Sequence, residues 1–164
     1  MNSILKNAIL KSFHGEWTHI DPKRALEGLS INVAKEKPKG FDHSCWDLLH
    51  HVLIWQQALI NNIKGQDVDW REIEEKENWP SKDEIKNDET FTHLLKTFFS
   101  NLEHSKELIK SVELFNEKEI SVGPTQLTRI KLILVLLQHT SYHLGQIVSL
   151  RKYLGDWPEN RNES

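Results

Sequence analysis

The chain has 164 residues, of which 38% are apolar and 27% charged, and its net charge is −3 with the histidines neutral. This length and composition predict one globular domain and give no sign of disorder. The acidic balance argues against nucleic-acid binding, which favours a basic surface. No apolar run reaches the roughly 18 residues of a membrane-spanning helix, and the N-terminus is too polar for a signal peptide.

A single cysteine, Cys45, excludes an intrachain disulfide and a zinc knuckle. It indicates a reducing compartment, and we expect a cytoplasmic protein. Because Cys45 lies beside Trp46 at a predicted helix start, we interpret it as a packed side chain rather than a nucleophile.

The first part of the chain predicts two helices and a loop. Apolar residues recur with a helical period over residues 3–13, and Gly15 ends that pattern. Asp21 and Pro22 are typical of a helix start, with Asp as N-cap and Pro in the first position, so a short helix is predicted there. Residues 31–41 are rich in lysine and contain Pro and Gly, which favours a loop.

Ser44 and Asp47 have the spacing of a capping box, and they predict a helix that runs to about residue 63 and stops at Gly65. His51 lies on the apolar face of this helix. His50 is rotated about 100° from it and points more nearly outward.

Two further stretches predict a connector and a further long helix. Residues 65–80 indicate a long charged connector, anchored by its tryptophans. Ser81 and Glu84 predict another cap, followed by a long helix over residues 88–112 with a continuous apolar face. His93 and His104 fall off that face, so we expect both to be solvated.

The last helix is predicted from Thr125 to about Leu154. Its segment Ile130 to Leu137 is apolar almost all round, which predicts cover on more than one side, by the core and by a partner subunit. We find no strand alternation and no hairpin signal. The sequence therefore predicts an all-α fold of four main helices with a short extra helix near the N-terminus. We expect one domain over residues 1–158, followed by a polar tail, residues 159–164.

His139 and His143 stand four residues apart on the last helix, so they share one face. That face continues the apolar stripe formed by Leu132, Leu136, Ile147 and Leu150. With His51 they make three inward imidazoles on two helices, and bundles commonly build metal sites from facing helices. Three neutral imidazoles with an open fourth position are typical of a catalytic zinc-type site.

Other interpretations of these histidines stay open at this stage. Each of them is also explained as a core histidine that hydrogen-bonds to backbone or to a neighbour such as Tyr142 or Gln146. The helices lack the Glu-x-x-His pairs of di-iron bundles and the His-Glu-x-x-His motif of zincins. The chain also lacks a P-loop and a Gly-x-Gly-x-x-Gly motif.

Two segments resemble the DinB-like (YfiT-like) superfamily of metalloenzymes. Residues 139–147 (HTSYHLGQI), with Arg151 and residues 155–158 (GDWP), are similar to that family's last helix. Residues 43–52 (HSCWDLLHHV) resemble its first ligand segment, in which the ligand is the histidine before a small aliphatic residue, here His51. Similarities around residue 15 and in the tryptophan-containing connector extend the resemblance over most of the chain.

The resemblance implies a four-helix bundle in an up-down-down-up arrangement, often dimeric. It implies a divalent ion, zinc or nickel among others, held by His51, His139 and His143. Characterised relatives include thiol-dependent S-transferases and a mycothiol-dependent maleylpyruvate isomerase. The branch that this chain resembles has no known substrate.

Two functional hypotheses follow. The first is a metal-dependent enzyme that activates a low-molecular-weight thiol or a water, for thiol transfer or hydrolysis of a small molecule, with Gln146 and Tyr142 as candidate residues around the metal or pocket. The alternative is a non-catalytic, metal-stabilised bundle that acts as a stress-response or interaction module. The expected partners are a small-molecule substrate and a second copy of the chain, with no nucleic acid or membrane.

Overall fold

The computed structural model describes residues 2–16, 18–84, 86–111 and 119–158. These residues are mostly helical, with one small two-stranded sheet. In chain order the elements are α1 (Asn2–Ser12), α2 (Pro22–Leu26), α3 (Ile31–Lys35), α4 (Cys45–Ile63), α5 (Trp70–Glu72), a π-helical segment (Ile73–Glu77), α6 (Asp88–Ser111), β1 (Glu119–Val122), β2 (Thr125–Thr128) and α7 (Arg129–Tyr153). Within these ranges, no helix combines the length and apolar character needed to cross a bilayer.

The predicted starts of α2 and α4 are confirmed by their capping contacts. The backbone N–H of Lys23 donates to Asp21 Oδ1 at 2.8 Å. At α4 the capping box is complete, because the N–H of Ser44 donates to Asp47 Oδ2 at 2.9 Å and the N–H of Asp47 donates to Ser44 Oγ at 3.2 Å. These contacts satisfy backbone donors that the first turn of a helix leaves unpaired. They fix where α4 begins and hence the direction in which His51 points.

The loop predicted over residues 31–41 is partly wrong, since α3 occupies its first five residues. Ser30 caps this helix by accepting a hydrogen bond from the N–H of Val33 at 3.4 Å. Ala34 is fully buried, and α3 packs against α4. Ile31 and Val33 also pack against the core, but five residues are too few to show a helical period, so only the tertiary contacts reveal this helix.

The connector predicted over residues 65–80 also contains helical structure, namely α5 and the π-helical segment. Asp69 caps α5, and Ile73 is buried. Trp70 and Trp79 are partly buried against the core, so their predicted anchoring role is confirmed. The acidic run masks the helical period because only Trp70 and Ile73 of these two short elements pack inward.

The cap predicted at Ser81 is wrong. Ser81 and Glu84 form an isolated turn, and α6 begins four residues later. Asn87 and Thr90 provide its reciprocal cap, with each backbone N–H donating to the other residue's side-chain oxygen at 3.0 and 2.9 Å. The rest of the predicted helix is confirmed to residue 111, and Val112 lies outside the described residues.

A β-hairpin precedes α7, although the sequence predicts no strand there and places residues 125–128 in the helix. Its antiparallel register pairs Ile120 with Leu127 and Val122 with Thr125. Gly123, with φ +57°, lies in the turn. Each strand has only four residues, so alternation is too short to be read from sequence. The helix begins instead at Arg129.

α4 packs against both α6 and α7, and the buried apolar side chains of these helices form the core. Arg151, near the end of α7, is almost fully buried among them. Its guanidinium donates to the carbonyl of Ala25 at 2.7 Å, to Asp156 Oδ2 at 2.7 Å and to the carbonyl of Asp156 at 3.2 Å. The side chain therefore ties the end of α7 to α2 and to the segment that follows α7.

We expect Arg151→Met to lower the free energy of unfolding by about 3–5 kcal/mol, because it leaves the Asp156 carboxylate and the Ala25 carbonyl without their buried donor. Urea denaturation measures this change. The control is Lys131→Met, an exposed position on the same helix, with an expected effect within about 0.5 kcal/mol. A loss of less than about 1 kcal/mol for Arg151→Met contradicts the assigned role.

Candidate metal centre

The structure brings together the three histidines that the sequence singled out. His51 lies on α4, and His139 and His143 lie one turn apart on α7, the helix that packs on α4. Their ring centroids are separated by 4.9 Å (51–139), 4.6 Å (51–143) and 4.5 Å (139–143). One nitrogen from each ring lies within 4.8 Å of the other two. His51 and His143 are buried, and His139 is half-buried.

Two of the three rings have a defined tautomer. His51 Nδ1 lies 3.1 Å from the carbonyl oxygen of Asn78, which only accepts, so this nitrogen carries the proton. His143 Nδ1 likewise donates to Gln146 Oε1 at 2.6 Å. In both neutral rings Nε2 is therefore the atom with the free lone pair. Outer partners of this kind orient metal-binding histidines and raise their basicity.

His139 is the ring that the protein alone does not satisfy. Its Nε2 lies 3.0 Å from His51 Nε2, and since the latter holds a lone pair, His139 must donate in this contact. Its Nδ1 is then an acceptor, and this buried atom has no partner among the described residues. Two neutral rings that place Nε2 against Nε2 and leave a buried nitrogen of His139 without a described partner form an arrangement that a bound ion would explain.

The electrostatics of the site favour uncharged rings. Burial, followed by the neighbouring charges of His143 and His51, lowers the pKa of His139 to about 3. Burial is also the main cause that lowers the pKa of His51 and the pKa of His143. All three imidazoles are therefore neutral near pH 7, which is the form that binds a metal ion.

The donor set and its spacing fit a divalent ion. Two nitrogens on one tetrahedral zinc ion, each at 2.0–2.1 Å, are about 3.3 Å apart. The spacing of the three rings, from 3.0 Å to less than 4.8 Å between nitrogens, brackets that value. Imidazole suits zinc, copper, iron and nickel, whereas magnesium and calcium prefer oxygen.

A family model described as the DinB superfamily matches residues 21–147, most of the chain and all three histidines. The chain belongs to the DinB superfamily. The match confirms the resemblance seen in residues 43–52 and 139–147, whereas residues 15–19 and 155–158 lie outside the matched range. Comparisons with curated proteins and with solved structures gave no match.

In this DinB-superfamily chain, the connector between α4 and α6 forms one wall of the site. The indole of Trp79 stacks on His51 with a centroid distance of 4.4 Å and also on His43 at 3.6 Å. Asn78 accepts from Trp55 Nε1 through its side-chain oxygen at 2.7 Å while its carbonyl holds His51. The sequence identified Trp79 as an anchor but missed Asn78, because nothing in a charged connector marks one backbone carbonyl as a histidine partner.

The opposite side of the site is formed by α7 itself. Gln146, one turn after His143, holds that ring, and its amide nitrogen lies 3.5 Å from the hydroxyl of Tyr142. Tyr142 is 65% exposed, and its ring meets the His143 ring edge to face at 4.9 Å. Both residues that the sequence suggested around the metal therefore contact the site, through His143.

The other histidines and the cysteine lie away from the three rings. His50 points towards the connector, where Nε2 meets the carbonyl of Glu77 at 3.3 Å. His93 and His104 are exposed, as predicted. Cys45 is fully buried, and burial raises the pKa of its thiol to about 12, which supports its interpretation as a packed residue.

We expect the metal-free protein, held in chelator, to lose stability as the pH falls from about 6.5 towards 3. The pKa of His139 is depressed in the folded state, so protons bind the unfolded chain first and favour unfolding in this window. Between pH 7 and pH 5 the titration of this histidine alone lowers the free energy of unfolding by about 2 kcal/mol. Urea midpoints at the two pH values measure the loss.

The control is His139→Gln, which should lose about 2 kcal/mol less than the wild type over the same pH interval. Equal losses in the two proteins would show that His139 is not held neutral by the fold.

Proposed function

We propose that this chain is a metal-dependent enzyme in which His51, His139 and His143 hold one divalent ion, zinc or nickel. The observation that carries the proposal is the convergence of three neutral imidazoles, with one nitrogen of each ring within 4.8 Å of the other two and one nitrogen of His139 left unsatisfied by any described group. Membership of the DinB superfamily supports it. The proposed reaction is transfer of a low-molecular-weight thiol, or hydrolysis, on a small-molecule substrate.

The chain's own residues prepare the site for that ion. Asn78 and Gln146 keep the protons of His51 and His143 on Nδ1, which leaves Nε2 available. Trp55 and Trp79 cover the rings and lower the local dielectric, which favours neutral imidazoles. A bound divalent ion would lower the pKa of a thiol or water at its remaining position, so that the nucleophile is available near pH 7.

Three finer expectations belong to this proposal. We propose that α1, α4, α6 and α7 form the up-down-down-up four-helix bundle implied by the resemblance. We also propose a homodimer in the cytoplasm. Leu134, in the apolar segment of α7, is 38% exposed and supports a partner on that face.

We expect protein purified without a histidine tag or added nickel to contain about one divalent ion per chain by elemental analysis. His51→Ala, His139→Ala and His143→Ala should each lower that content several-fold. The matched control, His50→Ala, changes the neighbouring histidine, which faces the connector, and should leave the content unchanged. Less than about 0.2 ion per chain in the wild type, unaltered by His51→Ala, would overturn the proposal.

We expect Gln146→Leu to weaken metal binding by 10–100-fold, because it removes the acceptor that orients His143. Competition with a chromophoric zinc chelator measures the affinity. Gln138→Leu is the control, since Gln138 is exposed on the same helix and the same substitution there should change the affinity less than twofold. Equal affinities for the two variants would show that Gln146 only packs beside the ring.

A second candidate function is the metal-stabilised, non-catalytic bundle. It is favoured by the position of the three histidines, which join α4 to α7, two helices that share the core. A metal there would act as a structural cross-link, and its removal would unfold the chain. A thermal melt with and without chelator separates the two functions: a cooperative fold that survives metal removal supports the enzyme, and unfolding supports the scaffold.

A further inference from the structure

A groove runs along α7 beside the metal centre. Its cavity of about 450 Å³ lies between residues 40–43 and the α7 residues Gly145, Gln146 and Ser149. This volume lies within the usual range of small-molecule sites. One side of the groove is therefore built by the segment that leads into α4 together with Leu48, and the other side by the helix that carries His143.

Three residues that line the groove contact the metal centre directly or through one ring. Gln146 accepts the hydrogen bond from His143, and Tyr142 packs its ring edge to face against His143. His43 stacks on Trp79, which in turn stacks on His51. The groove thus lies against the aromatic and polar wall of the three-histidine site, and it shares His43, Tyr142 and Gln146 with that wall.

The lining of the groove indicates the chemistry of its ligand. Leu48 and Leu150 are buried apolar residues of its floor, and Phe41 is a half-exposed ring at its edge. Hydrogen-bonding groups come from the amide of Gln146 and the hydroxyl of Ser149. No lysine or arginine is among the described lining residues, and the carboxylate of Asp42 disfavours an anion.

We propose that this groove is the substrate site of the metal centre and that it takes a small, partly apolar molecule whose far end carries no negative charge. This inference rests on the proposed metal-dependent function. In it the apolar part of the substrate lies on Leu48 and Leu150, Gln146 or Ser149 bonds a polar group, and the reacting end points towards His143.

Gly145 offers a selective way to close the groove. A Cβ at this position meets no atom of the described residues within 4 Å, so the space beside it is open, and its backbone is ordinary α-helix. Glycine is a poor helix former, so a larger residue here strengthens the helix by up to about 1 kcal/mol. The Cβ of a larger residue therefore fits here without a clash, and we expect the side chain of Gly145→Leu to occupy the groove.

The test uses the zinc-loaded full chain, labelled with ¹⁵N, and two aromatic probes of similar size, benzyl alcohol and benzenesulfonate. We expect benzyl alcohol to bind saturably and to shift the amide resonances of Gly145, Gln146 and Ser149. Gly145→Leu should weaken this binding at least tenfold, and Gly145→Ala by less. Benzenesulfonate should bind at least tenfold more weakly than benzyl alcohol.

Gln138→Leu is the matched control, because Gln138 lines a separate cavity on the other side of Tyr142. It should change benzyl alcohol binding less than twofold. Shifts that map to that cavity, an undiminished affinity in Gly145→Leu, or benzenesulfonate binding as tightly as benzyl alcohol would each overturn the inference.

A second readout connects the groove to the metal. With cobalt(II) in place of zinc, benzyl mercaptan should change the visible spectrum of the ion, and Gly145→Leu should raise the concentration needed at least tenfold. An identical titration in the variant, or no spectral change, overturns the connection. If the chain holds stoichiometric zinc but benzyl alcohol does not bind, the inference about the groove is wrong and the proposed function stands. If benzyl alcohol binds to a chain that holds less than about 0.2 zinc, both the proposed function and the groove's role as its substrate site are wrong.

Discussion

The contact between His51 and His139 is the interaction on which the site depends. Two helices far apart in sequence place their Nε2 atoms 3.0 Å from each other, in surroundings that keep both rings neutral. Neutral rings in such contact can share only one proton, and the remaining nitrogen of His139 is left buried with no partner in the described part of the chain. Within the described residues, His139 Nδ1 therefore lacks a hydrogen-bond partner, and the third ring, His143, contributes the lone pair of its own Nε2.

The groups around that contact orient the histidine rings through hydrogen bonds, which packing in an apolar core does not require. A backbone carbonyl from the connector and a glutamine from α7 hold the outer nitrogens of His51 and His143, so the lone pairs are oriented before any ligand arrives. The tryptophans of α4 and the connector cover the rings. The groove then lies beside Gly145, where the absence of a side chain leaves open space on the surface of α7.

Much of the fold follows from local chemistry that is visible in the sequence. The capping box at Ser44, the proline after Asp21 and the long apolar period of α6 each specify an element through contacts within a few residues. Errors occur where the signal is short or distant. α3 is only five residues long and depends on packing against α4, and the hairpin depends on pairing between two four-residue strands.

The sequence by itself determined which histidines face inward, because helical phase is a property of consecutive residues. It thereby identified His51, His139 and His143 before any contact was known. Only the tertiary structure decided that these three meet, that Asn78 holds His51, and that a groove opens beside Gly145. Those facts depend on how α4, α7 and the connector pack across large sequence separations, and no local pattern encodes such distances.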